Sequence, residues 1–145
     1  MTLGRCLVTG GRGFIGARLV AALRADGVTL RVLTRGDVPG PDEVRGELAD
    51  PDSLARACEG VDTVFHCAGH AHAFGALSAD EAARHRQVNF EGTRALAEAA
   101  GRAGVRRFVF LSSVKAMGEP LDACIDEDWP APPTGAYGQA KRAAE

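Results

Sequence analysis

Apolar positions along this chain fall into short continuous runs separated by stretches of helical period. The runs cover residues 3–9, 29–34, 43–48, 61–67 and 106–113. Residues 3–9 and 106–113 read as buried strands, and the others as strands, that over 43–48 a short one. After the first run, Phe14, Ile15, Ala17, Leu19, Val20 and Leu23 recur at helical spacing, and Asp26-Gly27 ends that helix. Asp50-Pro51-Asp52-Ser53 starts a second helix, with Asp50 as cap and Pro51 in the first turn, running to about Glu59-Gly60. Ser78-Ala79-Asp80-Glu81 reads as a capping box opening one long helix through Val88, Asn89 and Leu96 to Ala103, closed by Gly104. Between the second and third runs, Pro39 and Pro41 leave no room for a full helix. Residues 114–134 are irregular and acidic, and a last helix opens at Ala136. Strand and helix alternate, and crossovers are right-handed. The pattern therefore predicts one domain over residues 1–145: a Rossmann-like doubly wound parallel sheet of five strands in the order 3-2-1-4-5.

The junction between the first run and the first helix is Thr9-Gly10-Gly11-Arg12-Gly13-Phe14-Ile15-Gly16. A strand, a glycine turn and a helix form the context of a phosphate-binding loop. Gly10 suits a tight turn, Gly13 lets backbone approach a pyrophosphate, and Gly16 lets the helix lie close to the strand. The pyrophosphate would sit on free amides at the positive end of the helix. At the tip of the second strand, Arg35 suits a 2′-phosphate and leans the cofactor toward NADP, with Asp37 taking a ribose hydroxyl as the alternative.

Composition narrows the classes. Charged residues make up 25% and hydrophobic ones 46%, as in ordinary globular proteins, and the net charge of -2 argues against a nucleic-acid partner. No apolar run reaches membrane-spanning length, and the first strand begins where a signal peptide would lie, so a cytoplasmic protein is expected. Cys6, Cys58, Cys67 and Cys124 are scattered and read as small apolar fillers in a reducing compartment. His66, His70 and His72 cluster around Cys67, but no carboxylate or second cysteine lies at ligand spacing along the chain, so no metal is expected.

Tyr137 and Lys141 are four residues apart at a helix start and so share a face. Ser113 ends the fifth run, at the sheet edge where a dinucleotide lies in this topology. A phenol ionises near pH ~10, so tyrosine serves as a base near neutrality only beside a cation. Serine would then hydrogen-bond a developing oxyanion. Together with the glycine turn, the segments 46–50, 64–69, 88–93, 108–113 and 137–141 resemble the extended short-chain dehydrogenase/reductases, the NAD-dependent epimerase/dehydratase family.

The resemblance implies the following roles. Gly10, Gly13, Phe14, Ile15 and Gly16 hold the pyrophosphate of NAD or NADP. Glu47 and Leu48 flank the adenine. Cys67, Ala68 and Gly69 border the nicotinamide ribose, and Asn89 supports the cofactor side. Ser113, Tyr137 and Lys141 are catalytic, the last two also touching cofactor. Residues 110–119 are similar to nucleotide-sugar 4-epimerases and 4-reductases, which implies a UDP-sugar substrate, although Met117 stands where many epimerases have tyrosine. Family members continue past the lysine, so a fragment, or a second chain completing the fold, is expected, as is a possible homodimer. With few residues after Lys141, the last helix is expected to fray. The alternatives are a non-catalytic NAD(P)-binding module, and a dehydratase or a lactone- or steroid-type reductase.

Overall fold

The computed structural model describes residues 3–37, 40–71, 78–119, 124–126, 128–130 and 132–145. Its elements are β1 (Cys6–Thr9), α1 (Phe14–Ala25), β2 (Leu30–Thr34), β3 (Glu43–Arg45), α2 (Pro51–Cys58), β4 (Thr63–His66), α3 (Ala79–His85), a π-helical segment (Arg86–Glu91), α4 (Gly92–Arg102), β5 (Arg107–Phe110), a 3-10 turn (Val114–Ala116) and α5 (Ala136–Ala144). His72 of the histidine cluster lies outside the described residues. The chain divides into two compact units, Met1–Gly69 with Arg94–Leu111, and His70–Thr93 with Ser112–Glu145.

The first unit is the sheet. All four strand pairings are parallel and the order is β3-β2-β1-β4-β5. The direction of winding reverses at β1. Because each crossover is right-handed, that reversal sends helices to opposite faces. Alternate side chains of the strands follow suit. Cys6, Val8, Leu30 and Val32 pack with Val20 and Leu23 of α1. Leu7, Leu33 and Val64 pack with Leu54, Ala57 and Cys58 of α2 and with Leu96, Ala99 and Ala100 of α4.

The expected strand ends were too long. The third run forms a strand only over Glu43–Arg45, since Gly46 packs against the Ser53 side chain, where a Cβ would stand 2.7 Å from its Oγ. The fifth stops at Phe110 and is only partly buried, with Val109 41% exposed. It ends the sheet among the described residues and so has a single neighbouring strand. Ser113, expected to end this strand, lies beyond it as N-cap of the 3-10 turn.

In the second unit, the long helix expected from Ser78 to Ala103 is broken into α3, the π segment and α4. The last helix, expected to fray, is formed over Ala136–Ala144. α5 is regular, with Gly138, Ala140 and Lys141 buried, and it packs on the π segment and the 3-10 turn. Tertiary packing supplies what a helix of this length lacks alone.

Candidate functional site

In the first unit the glycine turn is built from backbone. Gly10 has a φ of 68°, the left-handed conformation that glycine takes without strain. A Cβ there would stand 2.6 Å from the Ala68 nitrogen, so the turn lies hard against the segment leaving β4. Gly13 N–H donates to the Gly10 carbonyl at 2.9 Å, and a Cβ on Gly16 would collide with that same carbonyl oxygen. α1 starts at Phe14 with Gly13 as N-cap, and no side chain caps it. The first amides of a helix have no partner within it. Phe14 and Ile15, expected among the apolar positions of this helix, are not core residues: they are 82% and 56% exposed. They stand on the turn before the helix reaches the sheet face, where Val20 and Leu23 are buried instead. This cradle fits a diphosphate: open amides, no competing cap, and backbone where side chains would intrude.

Thr9 ties the two strand ends together. Its hydroxyl accepts from Ala68 N–H at 3.2 Å and lies 2.6 Å from His66 Nδ1. This anchors Cys67, Ala68 and Gly69, of which Cys67 is half-buried and Gly69 exposed. From sequence Thr9 was read only as the start of the glycine turn and His66 only as one of the histidine cluster; the bond between them was not foreseen, since a threonine in an apolar run reads as strand propensity. At the tip of β2, Arg35 is exposed and makes no ion pair among the described residues. Asp37 pairs with Arg45 at 3.3 Å. Glu47 is exposed, its backbone held on both sides by the Ser53 hydroxyl, and Leu48 packs against the core.

In the second unit, Ser113 Oγ accepts from Lys115 N–H at 3.2 Å, shaping the turn that follows it. α5 approaches that turn closely because Gly138 has no side chain: a Cβ would strike the Lys115 carbonyl and lie 2.9 Å from Pro133 Cβ. Gly138, between Tyr137 and Lys141, is a determinant that sequence reading missed. Lys141 is 4% exposed. The Tyr137 ring meets the buried His85 ring edge to face, with centroids 5.6 Å apart.

Asn89 lies in the π segment with both halves of its amide engaged. Oδ1 accepts from His70 N–H and Nδ2 donates to the His70 carbonyl, each at 2.8 Å. Asn89, placed by the sequence in the middle of a long helix, thus bonds across to the His70 backbone. Glu81 departs from expectation. Ser78 Oγ accepts from Glu81 N–H, but the Glu81 carboxylate goes to His70 Nε2 at 2.9 Å, so the capping box is only half formed. That bond holds the Glu81 carboxyl below its usual range. The statement that no carboxylate lies at ligand spacing is corrected too. The fold brings Glu81 beside His70 and adds His85, and the ligand atoms of the three lie within 4.8 Å of one another. His85 Nδ1 lies 3.1 Å from the His70 carbonyl and 3.3 Å from Asn89 Nδ2, so the three groups belong to one hydrogen-bonded network.

Among the described residues, no helix is long and apolar enough to cross a membrane. Over 118 residues the chain is 42% identical to the 3 beta-hydroxysteroid dehydrogenase/Delta 5-->4-isomerase of Mycobacterium tuberculosis (strain H37Rv), covering 77% of this chain and 32% of that one. It is 35% identical to the UDP-glucose 4-epimerase of Streptomyces lividans, over 98% of this chain and 46% of that one. Its fold matches MoeE5, solved in complex with UDP-glucose and NAD, with a TM-score of 0.84 at 34% identity, covering 97% of this chain and 46% of that one. The chain thus spans from about a third to just under half the length of these relatives. The model of the NAD dependent epimerase/dehydratase family matches residues 6–145, and the chain belongs to that family.

Proposed function

We propose that this chain binds NAD(H) and takes part in oxidation and reduction at a hydroxyl carbon of a nucleotide sugar, as an epimerase or reductase acting at C4. The observation that carries this reading is the uncapped first turn of α1 beside Gly10 and Gly16. Open amides at a helix N-terminus favour a diphosphate. Gly10, Gly13, Phe14, Ile15 and Gly16 bind it. Glu47 and Leu48 flank the adenine, and Cys67, Ala68 and Gly69 border the second ribose. Asn89 orders the His70 backbone. When bound, NAD(H) supplies the hydride acceptor or donor. Tyr137 takes the proton of the substrate hydroxyl at its phenolic oxygen. Lys141 favours the phenolate by its charge, and Ser113 donates a hydrogen bond to the substrate oxygen. In support, α5 carries Tyr137 and Lys141 on one face and packs on the turn after Ser113. At the β2 tip Arg35 is exposed, whereas the other arginine there, Arg12, is already paired with Glu43.

The sugar substrate draws on the UDP-glucose 4-epimerase relative and on MoeE5 with its UDP-glucose. A second reading, a 3β-hydroxysteroid as substrate, draws on the 42% identity to the mycobacterial enzyme. Both substrates present a secondary alcohol, so the same serine, tyrosine and lysine serve either. The test is turnover of the intact protein with NAD⁺ and either UDP-glucose or a 3β-hydroxysteroid, alongside NAD⁺ titration. Tyr137→Phe is expected to lower kcat by about 10²- to 10⁴-fold while NAD⁺ still binds. Wild-type binding with no turnover of either substrate would favour a non-catalytic module, and an unimpaired Tyr137→Phe variant would remove the mechanism.

A further inference from the structure

Arg12 sits in the middle of the glycine turn, yet its side chain leaves that turn altogether. Nε donates to Glu43 Oε1 at 3.0 Å and Nη2 to Oε2 at 2.7 Å, a two-pronged pair with the first residue of β3. Glu43 is fixed a second time, by Gly40 N–H at 2.8 Å to Oε2. Its side chain is only 15% exposed, against 59% for Arg12. The guanidinium thereby lies over the turn that follows β2. A Cβ on Gly36 would come within 2.9 Å of Arg12 Nη1, so only glycine there lets the arginine lie so close. The end of β2 is where this topology reads the adenosine ribose. The pair therefore spans from the diphosphate turn to the place where the 2′-position of a dinucleotide is read.

The pairing of Arg12 decides what its guanidinium can offer an incoming 2′-group. A 2′-phosphate carries close to two negative charges and seeks the paired donors of an arginine. Here both prongs of Arg12 facing β3 are taken by a carboxylate, and that carboxylate would repel the incoming phosphate. A 2′-hydroxyl is neutral and asks for no free cation. Arg35 is the remaining arginine at the β2 tip, and Asp37 and Arg45 neutralise each other nearby. We propose that Glu43 is a specificity-determining residue for the cofactor: by occupying Arg12 it makes the ribose end of the site select NAD(H) and reject NADP(H). This rests on the reading of the glycine turn as a dinucleotide site, and it opposes the lean toward NADP that Arg35 alone suggests.

The experiment measures binding of NAD⁺ and NADP⁺ to the intact protein by calorimetry, for wild type, Glu43→Gln, Glu43→Ser and the double variant Arg12→Ala with Glu43→Gln. Glutamine keeps an acceptor for Arg12 and for Gly40 N–H, so the turn keeps its shape without the charge. Wild type is expected to prefer NAD⁺. Both single variants are expected to tighten NADP⁺ binding about tenfold or more with little change for NAD⁺. The double variant is expected to lose that gain, because the arginine that Glu43 releases is gone. Wild-type preference for NADP⁺, or an unchanged NADP⁺ to NAD⁺ ratio in folded Glu43→Gln and Glu43→Ser, would overturn the proposal while leaving the dinucleotide site standing. Failure of wild type to bind either nucleotide would instead overturn the site reading itself, and the proposal with it.

Discussion

At the scale of single residues, the glycines of the first turn separate two roles that a motif runs together. A Cβ on Gly16 meets the Gly10 carbonyl head-on and comes within 3.0 Å of Gly11 Cα, all of it backbone that does not give way. A Cβ on Gly13 has one neighbour within 4 Å, the Gly10 oxygen at 3.2 Å. Gly16→Ala is therefore expected to destabilise the fold by about 1–3 kcal/mol through overpacking. Gly13→Ala is expected to melt within about 0.5 kcal/mol of wild type yet lose NAD⁺ affinity, because it obstructs the approach to the turn. Thermal melts paired with NAD⁺ titrations check both, and equal melting of the two variants would contradict the division of roles. What could be read residue by residue was local. Asp50 accepts from Asp52 N–H at 3.1 Å and Ser53 N–H at 3.2 Å, as its sequence position predicts. Glu81 has equally good local credentials as a capping-box partner, but His70, eleven positions away, takes its carboxylate. The competitor is distant in sequence, so the pattern could not reveal it.

At the scale of elements, the strands and helices were legible because apolar runs and helical periods differ in length, while their ends were set by neighbours. β5 is half-exposed, with a single strand beside it among the described residues, a property of topology that its own residues do not carry. The interruption between α3 and α4 was hidden for another reason. A π turn adds one residue to a helical repeat without any change of composition, and such turns often mark functional positions. Asn89 explains why the widened turn sits there. It reaches the His70 backbone with both halves of its amide, and its own carbonyl accepts from Thr93 Oγ1 at 2.8 Å. Asn89→Leu would strand the part-buried N–H of His70 and leave its carbonyl with His85 alone, and is expected to cost about 1–3 kcal/mol. Asn89→Asp keeps the acceptor for His70 N–H and should cost less. Urea unfolding midpoints rank the variants, and a leucine variant as stable as wild type would mean that the amide pairing does not hold the π segment.

At the scale of the whole molecule, the strand order followed from alternation and handedness alone, since reversing direction at β1 is what places α1 on one face and α2 with α4 on the other. The candidate chemistry was legible only in part. Ser113, Tyr137 and Lys141 could be named from spacing, but Gly138, His85 and the Arg12–Glu43 pair act through contacts that join distant segments. Such contacts also govern how the molecule responds to acid. Glu43 is held below the usual carboxylate range first by its bond from Arg12 and then by Gly40 N–H. Asp62 is held down first by Arg5 N–H and further by Arg106, and Glu81 by His70. In each case the folded state releases its proton more readily than the unfolded chain. The resulting stabilisation is complete above the unfolded carboxylate range of about pH 4–5 and is lost as pH falls through the lower folded values. Asp62 and Glu81 are partly exposed, and Glu43 pairs with an arginine that is itself exposed, so each contribution is modest and weakened by salt. The urea midpoint is expected to hold between about pH 7 and 5 and to fall below about pH 4, less steeply in Glu43→Gln than in wild type. A midpoint that stayed level or rose on acidification to about pH 3 would show that these carboxylates do not stabilise the native state.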